Sequence, residues 1–420
     1  MKILLRKVSI LDKSSPFHHS VKDILIENSI IKTISDNIHD TDAKEISDKN
    51  LCASSGWVDI FTSIGDPGYE FKETIQSAAA AAAQGGYTTI FCLPNTQPAI
   101  QSKSQVEYVL SKGKNTPVSV LPLGCITRNV EGKDLAEMYD MHHAGAVAFS
   151  DGINPVQTSG LLLKALQYVK AFDGTIIQMP IDKSIGTYGL MNEGIVSTQM
   201  GLPGIPSIGE ELIIKRDIDL VRYTNSKLHI TGISTAKAVE LVAAAKEEGL
   251  QVSCSVTPYH LYFNEEDIVS YNTNLKVNPP LRSKKDMMAL REAVMKGTID
   301  CIASHHFPQD TDNKICEFEN AKYGMLGLQT AFNIVNEILP DISQERIAEI
   351  FSFNARNIFK LPAPIKEDEI ANITLFTKEG TSTLTKENNQ SKSANTPFFN
   401  VPLKGRVIGI IAGHQPYLNI

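Results

Sequence analysis

Cysteine is scarce and scattered in this sequence. Its six residues, Cys52, Cys92, Cys125, Cys254, Cys301 and Cys316, lie far apart with no CxxC pair, so neither a disulfide framework nor a cysteine-built zinc site is encoded. Several sit in apolar runs such as IFCLP and QVSCSV and read as buried thiols of a reducing compartment. No uninterrupted apolar stretch reaches the roughly 18 residues that suggest a membrane span. The opening MKILLRKVSILDKSS breaks its short apolar patch with Arg6 and Lys7 and shows neither a continuous leader core nor a cleavage signal. A cytoplasmic protein is expected. An excess of positive charge is missing as well: 40 Lys and Arg face 47 Asp and Glu, for a formal charge of −7. A phosphate-binding footprint would need the opposite balance, so neither nucleic acid nor a membrane is an expected partner.

What is present is the composition of an ordinary packed protein, 42% hydrophobic and 21% charged over 420 residues. That length suits a barrel of roughly 250 to 300 residues with a small satellite. Residues 1–55 read as short strands, with Asn28-Ser29 between apolar alternations as a hairpin turn. From Gly56 the pattern becomes eight β-rich runs separated by helical stretches: WVDIF, TTIFCLP, VSVLPLG, AVAFS, TIIQMP, LHITGI, QVSCSVTP and DCIAS. Eight alternating units predict an α/β fold, a closed (β/α)8 TIM barrel over residues 56–355. Residues 356–420 return to strand-like ITLFT and VIGIIAG around the polar TKENNQSKSANT. They are expected to complete a small β-sandwich-like domain with residues 1–55, since neither terminus alone can bury its apolar face.

Two helices are clear. In STAKAVELVAAAKEEG, Ala238, Val239, Leu241, Val242 and Ala245 follow a helical period that Gly249 stops. The run Ala78 to Ala83, ended by Gly85-Gly86, combines high helix propensity with a smooth surface that can lie close to a strand. The Gly- and Pro-rich MNEGIVSTQMGLPGIPSIGEE is too long for a minimal connection and is expected to be a structured loop over the barrel mouth.

Several segments carry a resemblance: GWVDIFTSIGDPGYEFKETI, GGYTTIFCLPNTQPA, FSDGINPV, MNEGIVSTQMGLPGIPSIGEE, HITGISTAKAVELV, VTPYHL, VNPPLRSKKDMMAL, IDCIASHHFP and SKSANTPF. In order and spacing they resemble the long-chain dihydroorotases over nearly the whole chain. The resemblance implies an amidohydrolase-type barrel with a composite β-domain. It also implies the reversible cyclisation of carbamoyl-aspartate to dihydroorotate, in which metal-bound hydroxide attacks an amide carbonyl. The ligands would come from the C-terminal ends of barrel strands.

Four strand ends depart from that pattern. On the first strand the family carries an HxH pair and then a substrate-binding arginine; here Phe61, Ser63 and Gly65 stand at those places, although Asp66-Pro67-Gly68 is kept. Aligning IQMPIDKS through Asp182 and Ser184 puts Met179 at the fifth-strand histidine, and a thioether is a poor zinc ligand. Gly232, before Ile233-Ser234-Thr235, replaces the sixth-strand histidine, and His305, before His306-Phe307-Pro308, replaces the aspartate that ligates metal and shuttles the proton. The resemblance therefore implies no metal, no cofactor and no catalytic residue in this chain.

Asp59, Asn95, Asp151, His260, Asn278 and His306 remain at positions resembling family motifs, and Asn95 in PNT and Asn278 in NPPL are candidates for residual binding of a small polar ligand. The plainer reading makes PNT and NPPL turns whose Asn bonds local backbone, and Asp151 a loop acceptor. His305 and His306 with Asp59 and His260 suggest a relocated metal site, but adjacent residues at a strand end point in opposite directions. Ser63, His305 and Asp59 could supply a nucleophilic triad that nothing in their spacing demands. The leading expectation is a non-catalytic dihydroorotase-like subunit of pyrimidine biosynthesis, acting in a homo- or hetero-oligomer. The resemblance supplies aspartate transcarbamoylase as its partner, because inactive dihydroorotase homologues assemble with that enzyme. The alternatives are an active cyclic amidohydrolase with an altered or absent metal site, and a sensor that binds carbamoyl-aspartate or dihydroorotate without converting it. The sensor would lack the carboxylate-binding arginine at Gly65.

Overall fold

Each of the eight apolar runs becomes a barrel strand in the structure, a computed structural model that describes residues 2–412 and 415–419. The strands are Trp57–Thr62, Tyr87–Cys92, Ser119–Gly124, Ala148–Phe149, Thr175–Gln178, Lys227–Thr231, Val252–Val256 and Cys301–Ile302, parallel and ordered as in the chain. The first two are buried at every position, as strands covered on both faces must be. Among the described residues no helix is long and apolar enough to cross a membrane, and five of the six unpaired cysteines are buried.

The eighth strand is only two residues long, so a backbone ladder alone cannot close the barrel. Closure runs through a bridge of Thr62 to His306, with Ser63 N–H donating to the His306 carbonyl at 2.9 Å. Side chains complete it. The Asp59 carboxylate accepts from Ser304 N–H at 2.6 Å and Ser304 Oγ at 2.9 Å, and also from the Thr62 hydroxyl.

The alanine run forms the helix Ile75–Gln84, capped by Thr74, whose hydroxyl accepts from Ser77 N–H at 3.1 Å. Ala78, Ala79, Ala81, Ala82 and Ala83 are buried in contact with the second barrel strand and with the strand Pro402–Ala412. The small side chains let three layers approach here. At Gly85 the approach is backbone to backbone, since a Cβ would lie 2.1 Å from the Leu328 carbonyl oxygen. The helix Ala236–Glu247 buries Ala238, Val242 and Ala245 and half-buries Val239 and Leu241. Gly249, at φ +77°, then ends it as Leu250 N–H returns to the Ala245 carbonyl at 3.1 Å.

Both termini build a second, mostly antiparallel sheet from Lys2–Ile10, Val21–Glu27, Ile30–Ser35, Lys44–Ile46, Cys52–Ser55, Asn372–Thr383, Pro402–Ala412 and Gln415–Leu418. Asn28 and Ser29 make the expected two-residue turn, with φ of +50° and +68° between paired Glu27 and Ile30. The termini join where Ser55 pairs with Ile373 and Cys52 with Phe376. The lone tryptophan, Trp57, sits at the seam of sheet and barrel, packed on Phe332, Phe351 and Phe376 with centroids 4.8–5.3 Å away. Its Nε1–H donates to Ser54 Oγ at 3.0 Å. Residues 385–396 leave the sheet and run back to the barrel mouth. The expected mouth loop is structured too: Met191–Asn192 pairs in parallel with Gly204–Ile205 around the short helix Ile195–Met200. Met191 and Leu202 pack with Tyr259, Leu275 and Val277.

Gly85→Ala is expected to destabilise the fold by about 2 kcal/mol, because it forces Cβ onto a backbone oxygen. Gly249→Ala, whose Cβ would meet nothing within 4 Å, pays only for its left-handed φ, about 1 kcal/mol. Chemical denaturation of both variants measures the difference; equal losses would contradict the close approach at Gly85.

Candidate functional site

The C-terminal ends of the barrel strands carry most of the side chains singled out in the sequence. Phe61 points into an apolar cluster with Phe91, Leu123, Ile177, Met179 and Ala303. Its ring stacks on His305, with centroids 4.5 Å apart and planes at 30°. His305 adopts φ +42° and places Nε2 2.8 Å from the Thr231 hydroxyl. A Cβ on Gly232 would fall 2.5 Å from His305 Cε1, so the imidazole fills the space into which a side chain at position 232 would grow. Gly65 is in the left-handed region at φ +76°, and a Cβ there would meet the Tyr69 carbonyl at 2.9 Å. Backbone geometry at that position excludes a long side chain unless the loop shifts.

The other histidines of the barrel interior, His229, His260 and His306, are buried and engaged. His260 lies between the Thr257 hydroxyl, 2.7 Å from Nδ1, and the carbonyls of Pro279 and Pro280, 3.0 and 3.2 Å from Nε2. Carbonyls only accept, so the proton belongs on Nε2. His229 sits between the hydroxyls of Ser253 and Ser255 at 2.8 and 3.0 Å. Burial pushes His229 and His305 down to about 3 and His260 to about 4, so all three are neutral near pH 7. His306 turns the other way from its neighbour. Its Nδ1 accepts from Gly327 N–H at 3.3 Å and its Nε2 faces the Glu73 carboxylate at 3.2 Å. Ser391 and Ser77 hydroxyls also donate to Glu73; burial opposes its charge, yet these bonds hold it below the ordinary glutamate range.

Asp151 is committed to the loop after the third strand. It accepts from Ile126 N–H and Thr127 N–H, both at 2.9 Å, and from the Thr127 hydroxyl, while burial raises it to about 6. Asn95 clamps the next loop, donating to the Asp151 carbonyl at 3.1 Å and accepting from Ile153 N–H at 3.2 Å. Asn278 precedes Pro279 in a cis peptide. Asn95 and Asn278 line separate cavities: one of about 470 Å³ with Ser63, Gly65, Lys72 and Lys322, the other of about 250 Å³ with Lys183, Glu210 and Arg282. His305 bonds Thr231 while Asp59 bonds Ser304 and Thr62, so Ser63, His305 and Asp59 do not form a relay. Among the described residues, Asp59, His260, His305 and His306 are not a converging set of ligand atoms either.

Several residues that organise the mouth carried no signal as single positions in the sequence. Glu73 gathers His306 and the 385–396 strap, whose Asn395 clamps Gln309 N–H at 3.0 Å and the Phe307 carbonyl at 2.9 Å. Glu210 and Arg282 form a buried pair at 3.6 Å. Arg282 also donates to Asn192 Oδ1 at 2.9 Å and the Ile205 carbonyl at 2.8 Å, which fastens the mouth loop. Both lie in segments, PSIGEE and NPPLR, whose spacing already marked them, but only contacts across 72 residues of chain reveal the pairing.

The neutral histidines make stability depend on pH. Each takes a proton in the unfolded chain near 6.5 but not in the fold, so its contribution is complete above about pH 6.5 and is lost as pH falls toward the folded value. Asp217, raised to about 7 by burial despite Arg216, works in the opposite direction. The readout is therefore a difference: His229→Asn should lose up to about 1.4 kcal/mol per pH unit of acid sensitivity between pH 6 and 4 relative to wild type. Parallel stability curves would contradict a neutral buried His229.

A family model described as Dihydro-orotase-like matches residues 53–238. The chain is 38% identical over 414 residues to the dihydroorotase of Syntrophus aciditrophicus (strain SB), covering 97% of each. It is also 38% identical over 422 residues to the dihydroorotase of Thermoanaerobacter sp. (strain X514), covering 99% of this chain and 97% of that one. Among solved structures, the L-hydantoinase (dihydropyrimidinase) of Arthrobacter aurescens superposes with a TM-score of 0.84 at 21% identity, covering 100% of this chain and 97% of that one. Dihydropyrimidinase from Brevibacillus agri NCHU1002 gives 0.83 at 18% identity, covering 100% and 95%. The structural likeness speaks for the fold, an amidohydrolase-type barrel with an accessory sheet. The full-length likeness in sequence goes further: this chain belongs to the dihydroorotase family.

Proposed function

We propose that this chain is a non-catalytic dihydroorotase-like subunit. The observation that carries the reading is the stack of Phe61 on His305 inside the mouth, with the imidazole in the space that a sixth-strand ligand would need. The family's metals require several imidazoles and a carboxylate converging on open coordination positions. The residues present do not fit that need. Phe61, Met179 and Gly232 offer no suitable donor, and His229, His260, His305 and Asp59 direct their polar atoms at hydroxyls, carbonyls and one backbone N–H.

The scaffold that would serve a structural or regulatory role is intact: a closed barrel, a fastened mouth loop and a strap from the C-terminal sheet. By the family resemblance, the partner we propose is aspartate transcarbamoylase, which places the complex in pyrimidine biosynthesis.

Hydrolysis of dihydroorotate and cyclisation of carbamoyl-aspartate by purified protein with added zinc should not rise above the buffer rate, and the protein should co-elute with aspartate transcarbamoylase of its own organism. Turnover abolished by a chelator would overturn the non-catalytic reading; independent elution would overturn the partner. Restoring one family ligand should not help. Gly232→His combines a left-handed backbone with a clash against His305 and is expected to cost about 2 to 3 kcal/mol in chemical denaturation, without gain of turnover.

A further inference from the structure

Away from the mouth, the turn over residues 11–20 links the first two strands of the terminal sheet and is tightly anchored. Asp12 accepts from Ser14 N–H at 3.0 Å and Ile365 N–H at 2.7 Å, Ser15 Oγ donates to the Ile365 carbonyl at 2.5 Å, and His19 N–H returns to the Ile10 carbonyl at 2.9 Å. The turn presents His18 and His19 side by side, with ring centroids 3.8 Å apart, and His19 takes φ +63° to do so. Both Nε2 atoms lie 3.5 Å from Oε1 of Glu345, a residue of the helix Gln344–Ala348. Among the described residues this is the one group of three His, Cys, Asp or Glu side chains whose ligand atoms converge, all within 4.8 Å.

The spacing suits a metal. Ligand atoms about 2.0–2.1 Å from a tetrahedral zinc lie about 3.3–3.4 Å apart, so the two 3.5 Å edges to Glu345 already match, and the third edge, between the imidazoles, is at most 4.8 Å. Two imidazoles and a carboxylate favour zinc and its transition-metal neighbours over magnesium or calcium. Partial exposure, 21%, 58% and 36% of the three side chains, leaves room for entry and for water in the remaining position. Lys13 lies 2.6 Å from Glu349 and 3.9 Å from Glu345, so a second carboxylate already holds it. We infer that His18, His19 and Glu345 bind one divalent transition-metal ion, which ties the N-terminal turn to the barrel helix at a place independent of the mouth. His18 Nδ1 is buried without a hydrogen-bond partner among the described residues, so no outer acceptor orients that ring. Such partners commonly raise affinity 10- to 100-fold, so this site binds more weakly than one whose rings are all oriented.

The test uses full-length protein stripped with chelator and dialysed. Calorimetric titration with zinc chloride should give one site per chain, and zinc should raise the melting temperature. His19→Asn, which tolerates the left-handed turn, and Glu345→Gln should each weaken binding at least tenfold and abolish the zinc-dependent shift, while their metal-free melting temperatures stay near wild type. Magnesium should produce no shift. Failure of the wild type to bind zinc, equal binding by both variants, or an equal response to magnesium would overturn the site. Hydrolase assays of the same variants keep this result separate from the reading of the mouth.

Discussion

Asp59 and Glu73 hold the first strand of the barrel and its following loop to the segment after the last strand. A two-residue eighth strand offers too few backbone groups for closure, so Asp59 reaches Ser304 across 245 residues of chain and Glu73 reaches His306 across 233. Both carboxylates are fully buried, where an unsatisfied oxygen would be costly, and every oxygen of the two has at least one hydrogen-bond partner. The geometry of the mouth follows. With Ser304 and His306 pinned on either side, His305 is driven into the left-handed region, and its ring turns onto Phe61.

This arrangement settles how the barrel interior manages polarity. A mouth that gathers imidazoles around a metal leaves their nitrogens directed at one point. Here Thr231, Thr257, Ser253 and Ser255 each take a nitrogen and two proline carbonyls share another, and burial keeps the rings neutral. Phe61 and Met179 extend the apolar core up to this layer. Desolvation, the largest influence on each of the three rings, disfavours their protonated forms. The Glu210–Arg282 pair does similar work at the rim, where Asn192, Ile205, Ser234 and Thr235 supply the remaining hydrogen bonds.

Much of the architecture was legible in the sequence because it depends on short-range pattern. The eight strand runs, the Asn28-Ser29 turn, the alanine helix and the stop at Gly249 each follow from periodicity or a local backbone requirement. The opposite facing of His305 and His306 was legible for the same reason, since adjacent residues at a strand end must diverge. Less legible was the polar stretch 385–396, which reads as a spacer between strands yet straps Glu73, Lys72 and Gln309. Its Ser and Asn residues are those of any exposed loop, and the mouth partners of Ser391, Ser393 and Asn395 lie more than 80 positions away.

By itself, the sequence determined the α/β class, the number of barrel strands, the pairing of the termini into one sheet and the residue types at every strand end, because local periodicity and side-chain chemistry are written position by position. Only the tertiary structure decided that His305 fills the space beside Gly232, that Asn95 and Asn278 line different cavities, and that His18 and His19 meet Glu345. Those outcomes depend on distances between segments tens to hundreds of residues apart, which closing the barrel sets and no local pattern encodes.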